Sequence, residues 1–307
     1  MRAAICTRYG PPEVLQLRDV PKPVPGRRDL RIRNHVAAVT VSDCYMRSAV
    51  PTAQLRFRVM MRLAVGLRKP RRPILGAVLA GEVEETGTGV RHFRAGERVY
   101  AFTMLRLGAY AEYACVAESK IVAAAPQNLT AAEAAALPYG GLIALHCLRK
   151  AGVGPGQRVF IYGASGAIGT AAVQLAKHFG AHVTAACGPT NQRLVTSLGA
   201  DGVLDYTADR LPRDARYDRV IDAVGRRKTS ALKVASQTAL ASGGRYLSVD
   251  DSLPRFGPPD LVFLTQLAER GALKPVIDRR FPLEQIADAH RYVEQGHKKG
   301  NVVIEIT

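Results

Sequence analysis

The chain has 307 residues, 47% of them hydrophobic, which is enough for two domains of ordinary size with real cores. No apolar run approaches the ~20 residues needed to span a bilayer, and the first residues lack the apolar core of a signal peptide. Lys and Arg number 43 against 26 Asp and Glu, a net charge of +17 that favours anionic partners; with 6% aromatic residues and no recognition motif, a specific nucleic acid is not expected. Five scattered cysteines (Cys6, Cys44, Cys115, Cys147, Cys187) argue against a disulfide framework and for a reducing, cytoplasmic setting.

Residues 1–125 are punctuated by Pro and Gly (Pro11-Pro12, Pro21, Pro23, Pro25-Gly26), which separate short segments. The stretch 29–41, rich in Val, Ile and Thr, reads as strand, and glycine-bounded strands are expected at 76–83, 96–102 and 108–116. Together they predict an irregular β-rich or α+β barrel. One insertion, 55–73, breaks that texture. Leu55, Val59, Leu63 and Leu67 recur every four residues among seven basic residues, predicting a basic amphipathic helix suited to an anionic membrane surface or to the flank of a substrate cleft.

Thr130 with Glu133 forms a capping pattern that opens an Ala-rich helix, and Pro138 with Gly140-Gly141 is expected to interrupt it before a second helix at 142–150. Next comes QRVFIYGASGAIGTAAVQLAK, residues 157–177. A buried strand at 159–162 leads to glycines 163, 166 and 169, then to a helix with one apolar face (Ile168, Ala172, Leu175, Ala176, Phe179) that stops at Gly180. Strand, glycine turn and helix form the opening of a dinucleotide-binding βαβ unit, although Ala164 stands where G-x-G-x-x-G has its first glycine. The glycines let the backbone approach a pyrophosphate, and the helix N-terminus offers it free N–H groups. Further strands at 181–186, 202–204, 219–222 and 245–249, with a helical segment at 190–198, call for a parallel, doubly wound sheet. The last residues read as helices at 259–270 and 281–295 and a terminal strand at 301–306.

YGPPEVLQLRDVPKP, GEVEETGTGVRHFRAGERV, GAYAEY, EAAALPYGGLIALHCL, YGASGAIGTAAVQLAK, LGADGVLDY, YDRVIDAVG and HKKGNVVIEI run nearly end to end. In these stretches the sequence resembles the zinc-independent quinone oxidoreductase (zeta-crystallin-like) branch of the medium-chain dehydrogenase/reductase superfamily. The resemblance implies an α/β fold: a GroES-like, β-rich catalytic domain from residues 1–125 and 258–307, and a doubly wound Rossmann NADP-binding domain from 126–257. Active site and cofactor would lie in the cleft between them.

Zinc-dependent members of the superfamily place a Cys three residues before an Asp and a Gly-His-Glu further on. Here Thr40 stands three before Asp43, and Gly76-Ala77-Val78 occupies the second place, so no zinc is expected. No Cys-x-x-Cys set is present for a structural zinc. Asp43 reads as structural and Cys44 as a lining or core thiol. Tyr45 matches the tyrosine that similar enzymes place near the nicotinamide, where a tyrosine hydroxyl hydrogen-bonds the substrate carbonyl. The resemblance puts Gly163, Ala164, Ser165, Gly166, Ala167 and Ile168 on the pyrophosphate. It puts Gly188, Asn191, Arg193 and Tyr206 around the adenosine 2′-phosphate. No acid occurs from 186 to 193, so NADP is expected over NAD; the branch's usual Lys is Asn191 here, with Arg193 two positions on. Ala223, Val224, Ser248 and Val249 end strands on the nicotinamide side, and Asn301 corresponds to a residue that closes over the cofactor. Ile143 departs from the Thr of relatives.

The implied activity is transfer of hydride from NADPH to a quinone or an α,β-unsaturated carbonyl. An enoyl or alkenal reductase, a biosynthetic tailoring reductase, or a non-catalytic NADPH-binding sensor or membrane-associated module are the alternatives. The resemblance further implies a homodimer joined at a Rossmann sheet edge near 244–249.

Overall fold

A computed structural model describes residues 1–48, 66–67, 69–226, 228–251 and 253–307. The N-terminal part of the expected amphipathic helix, 55–65, lies outside the described residues. Its described remainder up to Pro73 is not helical. Gly66 sits at φ +137, and Pro70 and Pro73 have no N–H to donate, so the segment turns instead.

The chain forms two compact units: 1–138 with 257–265 and 277–307, and 139–256 with 266–276. Residues 126–138 thus belong to the first unit and 266–276 to the second, the reverse of the sequence-based division. The short helix α2 (Ala131–Ala135) explains the first difference. It packs on β3 (Asp29–Val39) and β4 (Val78–Thr86), and its Thr130–Glu133 capping box is formed as expected. Lys274 explains the second: its N–H donates to Gln174 Oε1 at 2.7 Å and its carbonyl accepts from Gln174 Nε2 at 3.0 Å.

In the first unit β1 (Arg2–Cys6) and β2 (Leu15–Asp19) pair antiparallel. The main sheet, among the described residues, also contains β5 (Arg98–Phe102), β6 (Tyr113–Ala117), β7 (Ile121–Ala124), β13 (Ile277–Pro282) and β14 (Asn301–Glu305). They follow the order β13-β14-β3-β4-β5-β7, with β6 also on β3. Leu30, Ile32, Asn34 and Val36 of β3 all point to the core, the alternation that a half-buried strand requires. The strand stops at Val39, two residues short of the expected end, because Thr40 caps helix α1 (Val41–Ser48). The Thr40 N–H and Oγ1–H both donate to Asp43 Oδ2, at 2.8 and 2.7 Å, and the Asp43 N–H donates back to Thr40 Oγ1 at 3.2 Å.

The second unit holds a parallel sheet of β8 (Arg158–Tyr162), β9 (His182–Cys187), β10 (Gly202–Asp205), β11 (Tyr217–Asp222) and β12 (Leu240–Ser248). Its order is β10-β9-β8-β11-β12 and every pairing is parallel. The order reverses beside β8, so the carboxyl end of β8 lies at the switch point of a doubly wound sheet, where such sheets bind ligands.

Helix α3 begins at Pro138 and runs to Ala151, rather than starting after the glycine pair. Gly140 lies inside it for a packing reason. A Cβ there would stand 2.1 Å from the Ala167 carbonyl oxygen, at the start of helix α4 (Ala167–His178). The glycine admits the contact, and Pro138 is tolerated in a first turn, where no N–H is needed. Helix α4 is buried continuously from Gly169 to Ala176, on all sides rather than on the single face expected. The remaining α-helices among the described residues are α5 (Gln192–Ser197), α6 (Ala231–Thr238), α7 (Pro258–Glu269) and α8 (Ile286–Glu294).

Candidate functional site

Three glycines of the β8–α4 turn have three different jobs. Gly163 sits at φ +80, a region that favours glycine, and a Cβ on it would come 2.2 Å from Val224 Cγ2. Gly169 faces the turn itself: its Cβ would meet the Gly163 carbonyl oxygen at 2.1 Å and Ala164 Cα at 2.6 Å. Gly166, the N-cap of α4, is extended (φ −78, ψ 176), and its Cβ would find only the Gly163 oxygen, at 3.6 Å. Space is therefore open over Gly166, and the first N–H groups of a twelve-residue helix begin there.

Several expected cofactor residues gather at this turn. Asn191 Nδ2 donates to Ser165 Oγ at 3.2 Å. Gly188 lies against Tyr206, whose ring carbon would be 3.6 Å from a Cβ at 188. Tyr206 is held by its N–H donating to the Cys187 carbonyl (3.2 Å), and its ring stacks obliquely 6.2 Å from that of Tyr162. Ala164 is fully buried, Ala167 nearly so, and Ser165 and Ile168 are half-buried. Arg193 is exposed in the first turn of α5.

At the ends of β11 and β12 a buried hub fixes the loop that carries Ala223 and Val224. Asp222 Oδ1 accepts the N–H groups of Val224 and Gly225, both at 3.1 Å. Its Oδ2 accepts the hydroxyls of Tyr246 (3.0 Å) and Ser248 (3.1 Å) and pairs with Lys233 Nζ at 2.7 Å. The Lys233 ammonium also donates to the carbonyls of Gly225 (2.7 Å) and Lys228 (2.9 Å), so each of its three N–H bonds has a partner. Ser248 is buried with its hydroxyl committed to Asp222, and Val249, half-buried, donates its N–H to the Asp222 carbonyl at 3.1 Å. Sequence reasoning missed Lys233, which carries no signal: a lysine in a short amphipathic helix reads as solvated.

In the first unit Tyr45 is half-buried on α1, off the buried line of Asp43, Cys44 and Arg47. Asn301 is buried at the start of β14. Beneath α1 a polar cluster fills the core. Burial pushes the Asp43 carboxyl up to about 6 against the pull of its Thr40 bonds. The Cys44 thiol, pushed well up by burial, lies 3.5 Å from His290 Nδ1 on α8. His290 stands edge-on to the Tyr110 ring at 5.6 Å. The Arg47 guanidinium, fully buried, bonds the Gly10 carbonyl at 2.9 Å and pairs with Glu294. Among the described residues no group of three or more His, Cys, Asp or Glu is placed to hold a metal ion.

Burial and the nearby Arg47 charge lower His290 to about 3. Its ordinary value is near 6.5, so below that pH the unfolded chain takes up a proton that the folded chain refuses, and stability falls. The expected loss on going from pH 6.5 to 4 is on the order of 3 kcal/mol. In a His290→Gln variant the melting temperature should fall less over that range than in the parent. Parallel pH profiles of the two proteins would remove His290 as the cause.

The sequence matches three family models: an alcohol dehydrogenase GroES-like domain over 26–127 and two zinc-binding dehydrogenase models over 167–263 and 255–304. It is 35% identical to a chloroplast envelope quinone oxidoreductase homolog of Arabidopsis thaliana over 261 residues, covering 74% of this chain and 78% of that protein. It is 32% identical to a chloroplastic NADPH-dependent alkenal/one oxidoreductase of Arabidopsis thaliana, covering 76% of this chain and 64% of that one. The solved quinone oxidoreductase of Coxiella burnetii superposes with a TM-score of 0.82 at 26% identity, covering 100% of this chain and 99% of that one. The doubly wound parallel sheet is Rossmann-type and the β-rich unit is GroES-like. The chain belongs to the medium-chain dehydrogenase/reductase superfamily, in its quinone oxidoreductase branch, and is an oxidoreductase of that type.

Proposed function

We propose that this protein is a zinc-independent reductase that uses NADPH to reduce quinones or α,β-unsaturated carbonyls. The observation that carries the cofactor reading is the open space over the Gly166 turn, beside the Ser165–Asn191 bond and the Gly188–Tyr206 contact, with no acidic side chain from 186 to 193. These residues fit a phosphorylated dinucleotide. Free N–H groups at the start of α4 take the pyrophosphate, Asn191 and Ser165 supply short polar contacts, and no carboxylate there repels a 2′-phosphate. Bound NADPH supplies the hydride. Gly163, Val224 and the Asp222 hub hold the backbone of the 223–225 loop in one position, and Tyr45 is assigned to orient the substrate carbonyl by donating a hydrogen bond to its oxygen. The chloroplast relatives named for quinone and for NADPH-dependent alkenal/one reduction support this substrate class.

The residues around Asp43 do not fit a zinc ion. The Thr40 hydroxyl, at the place of a zinc-binding thiol, donates to Asp43, and Cys44 is a buried, protonated thiol against His290. Ala77 and Val78, at the places of the His and Glu of that second motif, are buried and offer no ligating side-chain atom. Two of the three family models carry zinc in their names, so metal analysis of the purified protein is a direct check. Residues 244–248 of the expected 244–249 seam lie on β12, the edge strand of the parallel sheet among the described residues, which supports a homodimer. Five unpaired cysteines support a reducing, cytoplasmic compartment.

Isothermal titration with NADPH and, separately, NADH tests the cofactor reading; the result expected is tight NADPH and weak NADH binding, and equal affinities would overturn it. Turnover with a quinone and an acyclic enone at matched concentration then ranks the substrates. Tyr45→Phe should lower kcat/KM by roughly tenfold or more if its hydroxyl meets the substrate oxygen. A value within about twofold of the parent would make Tyr45 a packing residue.

A further inference from the structure

The first unit contains a cavity of about 510 Å³ remote in sequence from every residue assigned above to nucleotide binding. Its floor is apolar: Phe102, Leu107 and Ile121 are each less than a tenth exposed. Its rim is cationic, with Arg71, Arg72, Arg106 and Lys120, and among the described residues no acidic one lines it. Among the described residues none of these four cations is paired with a carboxylate. Elsewhere exposed arginines do find acids, as Arg2 does with Glu112 and Glu284, and Arg291 with Glu13 and Asp288. Arg72 Nη1 donates instead to the Arg106 carbonyl at 2.9 Å, which ties one rim segment to the other.

The backbone gives a second, independent sign. Met104 (φ +52) and Leu107 (φ +56) are the non-glycine residues at positive φ among those described, and both line this cavity. Side chains rarely adopt that region, and strain of this kind persists where the fold has a use for the shape it gives. Here the shape is a turn, Met104–Arg106, that presents Met104 and Leu105 at the surface, 41% and 47% exposed, beside the Arg106 head.

Apolar floor, unpaired cationic rim and small-molecule volume together select one ligand chemistry. We infer that this cavity binds a soluble anionic amphiphile, a single carboxylate, sulfonate or phosphate group on an aliphatic or aromatic body. The anionic head sits among Arg72, Arg106 and Lys120, where it meets several charges and no competing acid. The apolar body covers Phe102, Leu107 and Ile121. Neither part suffices alone: a bare anion leaves the floor wet, and a neutral amphiphile leaves the cations without a counter-charge.

Octanoate titrated calorimetrically into the full chain tests this, with 1-octanol, inorganic phosphate and phosphatidylglycerol vesicles as the other arms. Octanoate should bind at least roughly tenfold tighter than either 1-octanol or phosphate. Arg106→Glu should weaken octanoate binding by roughly tenfold. Arg213→Glu, an exposed arginine of the second unit with the same change in net charge, should leave it within about twofold. Should Arg106→Glu melt early, Lys120→Glu at the same rim gives the same reading. Equal affinity for octanoate and octanol, equal affinity for octanoate and phosphate, binding to vesicles alone, or equal effects of the Arg106 and Arg213 variants would each overturn the inference.

Discussion

A Gly166→Val variant should fold and melt like the parent yet bind NADPH at least about 100-fold more weakly, whereas Gly169→Val should lose stability before binding can be asked about. The contrast comes from what a new Cβ meets. At 166 the backbone is extended, open to any residue, and the nearest protein atom stands at an ordinary 3.6 Å. The branched side chain then fills only the space that a pyrophosphate needs over the start of α4. At 169 the new atom falls 2.1 Å from a backbone oxygen and 2.6 Å from a backbone carbon, neither of which can swing away as a side chain would. Forcing the helix off the turn should cost on the order of 3 kcal/mol or more. Thermal melts and NADPH titration of the two variants check both halves. Unchanged NADPH affinity in a folded Gly166→Val protein would remove the turn from the cofactor site.

These separate roles mark where sequence reading stops. The glycine spacing reveals a tight strand–turn–helix, but not which glycine faces solvent. The parallel strands of the second unit were legible because central strands such as β8 are buried and largely apolar after their first residue. In the first unit β1, β2 and β13 were missed: they are short, and the exposed charges of LQLRD and IDRRFP give no clean alternation. The early start of α3 was hidden because Gly140 answers to Ala167, a neighbour 27 positions away that no local pattern can reveal. His290 falls within the helix expected at 281–295, yet its partner Cys44 is 246 positions distant. The Thr130–Glu133 and Thr40–Asp43 caps are both local, but only the first was read, because Val and Thr before the second favoured strand.

Lys233 is the residue whose loss should do most damage outside the turn. It is buried with Asp222 at 2.7 Å, and its ammonium nitrogen lies over the Tyr162 ring, 5.5 Å from the ring centre. Replacing it with Met keeps the length and removes the charge, leaving the Asp222 carboxylate buried without its counter-ion. Such a half-broken pair typically costs 3–5 kcal/mol. Asp222 keeps four other hydrogen bonds, so the expected cost is at the lower end, about 3 kcal/mol, and the Gly225 and Lys228 carbonyls lose a donor as well. Lys233→Met with Asp222→Asn should recover much of that loss, because the amide carries no charge to strand and still accepts from the loop N–H groups. A double variant no more stable than Lys233→Met would mean that the lysine acts by packing and not by charge. NADPH affinity separates structure from function in the same proteins. The hub holds Val224 against Gly163, so a loosened 223–225 loop should weaken binding even in the double variant at temperatures well below its melt. Parent-like affinity there would confine the hub to stability.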